Sequence, residues 1–288
     1  MDDDANDGAP ILSFGVVADC QYAAEGRSAP HPVRHYPLSR AKLAEAVATF
    51  DADDLAFVIS LGDLIDSSAD DLPPVLEVLA GGRAPVRHCL GNHDLAGFGG
   101  DLDAAVAAFG MPGSYYGWTE LGHRFLVLDT NRLGVIDLAP GSPAWHRRAA
   151  ELDRRLAAGE PQALPWNGGV DPDQLAWLGD QLDEAAAAGE PVLIFAHQPV
   201  TPVYDHAVLN AAELGAVLTR PGVPLLAYFC GHDHSGGLSR LGSSPAVTFA
   251  GMVDTEDNAY AIVRVYPDRL TITGYGREAT RTFGGESR

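Results

Sequence analysis

Residues 15–24 read GVVADCQYAA. Small and β-branched residues run up to Asp19, and Cys20 and Gln21 follow. Such a run reads as a buried strand that delivers a carboxylate to its own end. The same device recurs along the chain. VISL leads to GDLID at Gly62, PVRHCL to GNHD at Gly91, LIFA to HQP at His197, and LAYFC to GHDH at Gly231. Five apolar runs thus stop at Asp, Asn or His. In open α/β sheets, sites form at the carboxyl ends of the strands, so five such ends are expected at one rim.

Between these runs lie helical patterns. Buried strands are expected from Ile11, Leu55, Ala84, His123, Pro191 and Pro224 onward, each short and bounded by turn residues. Helices are expected over 39–50, with Ser39 as a possible N-cap, and over 101–109, 142–157, 171–188 and 207–218. The last section differs. AVTFAG, AYAIVRVYP and RLTITGYG follow one another without helices and read as an antiparallel meander. Residues 1–10, MDDDANDGAP, read as a disordered acidic tail, and 11–288 as a single α/β domain with two packed sheets flanked by helices.

Composition narrows the partners. Of 288 residues, 46% are hydrophobic, enough for a sizeable core. No apolar run reaches the ~18–20 residues a membrane span needs, and the start lacks a basic and an apolar segment, so no signal peptide or membrane association is expected. The formal net charge is −20, with Lys42 the single lysine. Such a surface repels nucleic-acid backbones at long range, so nucleic acid is an unexpected partner, whereas a small anion held by local cations is compatible. The cysteines, Cys20, Cys89 and Cys230, are an odd and small set that fits a reduced cytoplasm. Nothing in the sequence assigns Cys20 a role.

The strand-end residues Asp19, Asp63, Asn92, His197, His232 and His234 are oxygen and imidazole donors, which suit Mn, Fe and Zn. Six exceed the needs of one ion. Two ions need a shared ligand, and a carboxylate can bridge them. An ion pair ~3.5–4 Å apart is the usual device for in-line attack at phosphorus. Gly62, Gly91 and Gly231 stand directly before Asp63, Asn92 and His232, where the backbone must turn sharply. Each motif alone reads first as turn chemistry, ahead of any functional role. Five of them in order at five strand ends do not. His31, His35, His88, His123, His146 and His206 lack this context and read as structural or surface residues.

The order D-x-Q … GDxxD … GNHD … H … GHxH, from Asp19 to His234, resembles the calcineurin-like metallophosphoesterase family. The resemblance implies a four-layer αββα sandwich of two mixed sheets with a dinuclear site at their strand ends. Position by position, it implies one metal held by Asp19, Asp63 and His234, with Gln21 where most members have His. It implies a second held by Asp63, Asn92, His197 and His232, with Asp63 as the bridge and a metal-bridging hydroxide as nucleophile. His93 would stabilise the transition state or protonate the leaving oxygen. Asp94 would orient His93 or only cap the loop.

The stretch ADCQYA is similar to the ADxQYA of the Mn-dependent ADP-ribose/CDP-alcohol diphosphatase branch. VRHYPLSRAKLAEAV, WNGGVDPDQLAWL, GHDHSGG and GMVDTEDNAYAIV extend that likeness. The loop between Tyr22 and Arg40 and the region from Tyr204 to Leu214 depart from it. The branch implies two divalent cations, Mn preferred with Fe, Zn or Mg as alternatives, and a small nucleotide-linked phosphorylated substrate whose pyrophosphate is cleaved. Gln21 is expected to ligate metal through its carboxamide oxygen or to contact a water or the substrate. Rival readings are a phosphodiesterase or phosphomonoesterase acting on cyclic nucleotides or glycerophosphodiesters, and a non-catalytic nucleotide-binding protein.

Overall fold

The computed structural model describes residues 8–284. The acidic tail read over 1–10 therefore falls, except for residues 8–10, outside the described residues; those three carry no regular structure. In chain order the strands are β1 (Leu12–Val17), β2 (Phe57–Ser60), β3 (Val86–His88), β4 (Tyr116–Glu120), β5 (His123–Val127) and β6 (Val192–Phe195). They continue with β7 (Leu225–Cys230), β8 (Gly237–Leu241), β9 (Ser244–Thr248), β10 (Ala259–Val265), β11 (Arg269–Gly276) and β12 (Arg281–Gly284). The helices are α1 (Ser39–Phe50), α2 (Leu72–Ala80), α3 (Asn92–Gly97), α4 (Leu102–Ala108), α5 (Pro143–Ala157), α6 (Pro172–Ala188) and α7 (Ala211–Leu218).

The strands form two six-stranded mixed sheets, ordered β12-β11-β10-β1-β2-β3 and β4-β5-β6-β7-β9-β8. In the first, β1, β2 and β3 are parallel. In the second, β5, β6, β7 and β9 are parallel. Parallel strands covered on both faces are apolar throughout, which is why β1, β2 and β6 are buried at every position. The inner faces meet in a layer of aromatic rings. Phe14 stacks on Phe57 at 4.9 Å between centroids and meets Phe195 of the other sheet edge-on at 5.6 Å. Burying a phenylalanine of this kind contributes about 1.5–3 kcal/mol. The outer face of the first sheet is covered by Leu43, Ala46 and Phe50 of α1 and Leu72, Val75 and Leu79 of α2. The outer face of the second is covered by Leu178 and Leu182 of α6 and Leu214 and Leu218 of α7. These are the four expected layers.

Local signals set most boundaries. The side chains of Asp101, Ser142 and Asp171 each accept a backbone N–H three residues on and start α4, α5 and α6. Three expectations need correction. Ser39 does not cap α1, because a 3₁₀ turn over Tyr36–Leu38 already brings the chain into helical dihedrals and leaves the Ser39 hydroxyl buried without a partner. AVTFAG is not part of the terminal meander. It follows β8 through a hairpin and lies parallel to β7 in the second sheet, so the antiparallel meander consists of β10, β11 and β12. Residues 207–210 do not belong to α7, which begins at Ala211.

The parallel pairing fixes where the strands empty. Val16 of β1 lies beside Ile59 of β2, so the residues after both strands leave on one edge. The two loops are then stitched together: Asp19 N–H donates to Gly62 O at 3.1 Å and Gln21 N–H to Asp63 O at 2.7 Å.

Candidate metal centre

The loops after β1, β2, β3, β6 and β7 meet at this edge and bring together all seven residues expected to bind metal. Three donor atoms surround the Nε2 of His197: Asp63 Oδ2 at 3.3 Å, Asn92 Oδ1 at 3.0 Å and His232 Nδ1 at 3.1 Å. One ligand atom each from Asp63, His197 and His232 lie within 4.8 Å of one another. A second group adjoins it. Gln21 Nε2 lies 3.1 Å from Asp63 Oδ2 and 3.2 Å from His234 Nε2, which in turn lies 3.5 Å from Asp19 Oδ1. Asp63 belongs to both groups.

The local backbone is bent to do this. Asp19, Gln21, Asp63 and His232 all have positive φ, between 42° and 70°. Non-glycine residues adopt that region at a cost, and the surrounding structure must hold them there. Two glycines make the approach feasible. A Cβ on Gly91 would collide with the Asp63 carboxylate, and one on Gly231 with that of Asp19.

Each imidazole is held by its outer nitrogen. His197 Nδ1–H donates to Leu61 O at 2.9 Å, His232 Nε2–H to Asn167 Oδ1 at 2.8 Å, and His234 Nδ1–H to Asp254 Oδ1 at 2.9 Å. In neutral rings the inner nitrogens then carry bare lone pairs. The lone pairs of His197 and His232 face each other at 3.1 Å beside a carboxylate and an amide oxygen. That arrangement repels itself unless a cation sits among the donors, and the donor set suits a divalent first-row ion. The residues fit the metals that the family resemblance implies.

Without metal, protons take part of that role. Burial alone would lower His197, but Asp63 and Asp19 push it up to about 9. Burial likewise opposes His234, yet the Asp19 and Asp254 carboxylates raise it to about 9. His232 is driven well below the usual range by burial and by neighbouring His197. Burial would raise Asp63, and the imidazoles of His197 and His93 hold it well below the carboxylate range instead. A metal held here would have to displace the protons on His197 and His234, so its affinity would rise with pH.

Gln21 is fully buried, and the nitrogen of its carboxamide faces Asp63 and His234, while Oε1 has no partner. Ligation through Oε1 needs a half-turn of the amide.

His93 lines the cavity above these groups. Its backbone N–H donates to Asp63 Oδ1 at 2.8 Å, and its Nδ1–H to Asp66 O at 2.8 Å with Asp66 Oδ1 at 3.2 Å. Burial disfavours the His93 cation, but Asp63 and Asp66 outweigh it and raise its pKa. Asp94 does not touch this ring. Its Oδ1 accepts from Leu64 and Ile65 N–H and its Oδ2 from Gly91 N–H, so it caps the loop that carries Asn92. The residue that orients His93 is Asp66, the second aspartate of GDLID.

The cavity has a volume of about 300 Å³ and is lined by Gln21, Asp63, Asn92, His93, His232 and His234, with Arg34, Trp166 and His206 at its other walls. His206, expected to be a structural or surface residue, lines this cavity instead. Its ring stands 5.3 Å from that of His232 and 6.5 Å from that of Trp166. It comes from the loop between β6 and α7, where no motif marks it. Asn167, Asp66 and Asp254 had a signal, since they sit in the WNGG, GDLID and GMVDTEDN stretches.

Two mixed sheets and a cluster of Asp, Asn and His at their strand ends define a metallophosphoesterase. The calcineurin-like phosphoesterase family model matches residues 12–236, and the chain belongs to that family. It is a metal-dependent hydrolase of phosphoric ester or anhydride bonds. A manganese-dependent ADP-ribose/CDP-alcohol diphosphatase from Oryza sativa subsp. japonica is 30% identical over 305 residues, covering 94% of this chain and 93% of that protein. One of the same name from Homo sapiens is 28% identical over 315 residues, covering 94% and 92%. The crystal structure of a dimetal phosphatase from Danio rerio superposes with a TM-score of 0.83 at 27% identity, covering 96% of this chain and 99% of that one.

Proposed function

We propose that Asp19, Gln21, Asp63 and His234 hold one divalent cation and Asp63, Asn92, His197 and His232 a second, with Mn preferred. We propose further that the chain hydrolyses the pyrophosphate bond of a nucleoside diphosphate-linked small molecule of the ADP-ribose or CDP-alcohol type. The observation that carries the site is the convergence of two donor groups on one carboxylate, Asp63. The near-complete span of relatives named as ADP-ribose/CDP-alcohol diphosphatases supports the substrate class.

When bound, the cations supply an acidified water as nucleophile and positive charge against the phosphoryl oxygens. The chain does the rest. Leu61, Asn167 and Asp254 keep the three imidazoles turned inward, so the donors are preorganised. Asp94 holds the Gly91 turn against the 64–65 backbone and so places Asn92. Asp66 fixes the Nδ1–H of His93. The ring's Nε2–H is left to give a proton to the leaving phosphate oxygen, as a general acid. Trp166 is 41% exposed at the cavity wall and pinned by its Nε1–H to Asp205 O at 3.2 Å. An indole face held in this way suits a nucleobase.

The test is product analysis. Purified protein with Mn should release AMP from ADP-ribose and CMP from CDP-choline. No nucleotide release, alongside cleavage of bis(4-nitrophenyl) phosphate, would refute the substrate assignment and leave a phosphodiesterase.

A further inference from the structure

Arg34 is the one arginine or lysine among the residues lining the cavity. The segment that carries it is stitched to the loop after β9. Arg34 bridges Asp254 through the backbone, His35 N–H donates to Val253 O at 2.9 Å, and Thr255 N–H to Val33 O at 2.7 Å. That loop is itself fixed by Lys42, whose ammonium donates to the carbonyls of Met252, Asp254, Thr255 and Asp257. The Cα of Arg34 is therefore held in place although it lies in a long connection.

Burial would raise the Asp254 carboxyl, but His234, with Arg277 and the Arg34 guanidinium, holds it below the usual carboxylate range. Among the described residues the Arg34 guanidinium makes no hydrogen bond and no ion pair, and the nearby Asp254 carboxylate is turned to His234 at 2.9 Å instead. A half-buried guanidinium that closes no hydrogen bond or ion pair among the described residues is free to take a ligand, and an arginine fork is shaped for a phosphate.

Charge counting says which phosphate. In a dinuclear phosphoesterase the cations take the oxygens of the phosphoryl group under attack. A diphosphate diester carries a second negative charge on its other phosphate. The chain around it has a net charge of −20 and repels anions. Arg34 is the one arginine or lysine on the cavity wall, so it is the permanent cation that can meet that second charge, beside the proton that His93 gives to the leaving oxygen. We infer that Arg34 binds the phosphate of the substrate that is not attacked, and so selects diphosphate-linked molecules over simple phosphodiesters. This rests on the diphosphatase reading and goes beyond it in naming the selecting group.

The experiment compares wild type with Arg34→Ala and Arg34→Lys in the Mn-loaded protein. α,β-Methylene-ADP, which is not cleaved between its phosphates, and AMP are each titrated by calorimetry. Loss of a charge-assisted contact predicts methylene-ADP binding weaker by about 10–100-fold in Arg34→Ala, AMP changed by less than about threefold, and Arg34→Lys in between. In parallel, kcat/KM for ADP-ribose should fall by a similar factor while that for bis(4-nitrophenyl) phosphate holds within about twofold. Equal losses for methylene-ADP and AMP, or no loss for either, overturn the assignment. If wild type binds methylene-ADP in an Arg34-dependent way but releases no AMP from ADP-ribose, the Arg34 inference stands and the diphosphatase reading falls.

Discussion

Asn167 Oδ1 accepts the Nε2–H of His232 at 2.8 Å, and Asn167 Nδ2 donates to Gln162 O at 2.9 Å and Asp205 O at 2.7 Å. One amide thus sets the tautomer of a candidate ligand and ties it to the loop that carries Tyr204 and His206. Partners of this kind typically change metal affinity by about 10–100-fold when removed. Asn167→Ala should weaken Mn binding by that factor, measured by calorimetry or by the Mn EPR signal. Asn167→Asp, which keeps an acceptor for His232, should recover most of it. Equal losses in both variants would mean that Asn167 acts through the loop alone.

His93 offers a cleaner separation of chemistry from metal binding. Its ring nitrogen Nδ1 is bound by Asp66, and among the described residues Nε2 has no hydrogen-bond partner. In His93→Asn the amide N–H can still reach for the Asp66 carbonyl but no proton can be given up. We expect kcat on ADP-ribose to fall by about 10²–10⁴, the range of general acid catalysis, with Mn affinity little changed. A kcat within tenfold of wild type rules out the proton donor.

The carboxamide of Gln21 sits where its Oε1 is buried and unpaired. An oxygen donor at this position makes the Asp19–Gln21–Asp63–His234 group oxygen-rich, and oxygen ligands favour Mn over Zn. Gln21→His replaces it by imidazole. The ratio of Mn to Zn affinity, from competition titrations, is expected to drop by roughly an order of magnitude. An unchanged ratio would show that Gln21 faces a water or the substrate rather than the metal.

The sequence carried the parts of the site that depend on the end of a parallel strand. Asp19, Asp63, Asn92, His197 and His232 each follow an apolar run, and covered parallel strands leave such runs unmistakable. What it hid depends on tertiary contact. Asp254 lies 20 residues from His234 in the chain and reaches it through tertiary contacts, among them Val253 N–H docked on Asp19 O and the Lys42 ammonium on the loop carbonyls. Asp94 had the composition of a catalytic partner, but its two oxygens are consumed by three backbone N–H groups. In the fold, β8 carries no strand signal in its sequence, because only one of its five positions is buried and it holds Ser239 and Arg240 at an edge, without an apolar period. The helix α2 was obscured by Pro73 and Pro74, which lie in its first turn where proline is tolerated.

Lys42 is buried, and its ammonium is spent on four carbonyls at 2.6–3.2 Å. Burial lowers its pKa, and Arg277 lowers it further. The group is the knot of the loop that presents Asp254 to His234. Lys42→Met keeps the stem and removes the donors, which leaves carbonyls unpaired in the interior. We expect a loss of about 3 kcal/mol in unfolding free energy, seen as a Tm lower by roughly 5–10 °C. Because Asp254 loses its support, Mn affinity should fall as well. A variant that melts with the wild type would show that water replaces the ammonium at no cost.

His88 lies on β3 away from the metal cluster, packed edge-on against Phe109 at 5.4 Å, and its Nδ1 has no partner. Burial pulls its pKa down to about 4. In the unfolded chain an ordinary histidine titrates near 6.5. Between these values the unfolded state binds the extra proton and the folded state does not. Stability therefore rises with pH from about 4 to 6.5, and the contribution is fully present above 6.5 and lost as the pH falls toward 4. The full effect of this one group is of order 3 kcal/mol. His88→Leu removes it without stranding a hydrogen bond at Nδ1. Urea titrations at pH 7 and pH 5 should show a smaller stability difference for the variant than for the wild type. Equal differences would mean that His88 stays protonated in the folded chain or that the unfolded state shares its environment.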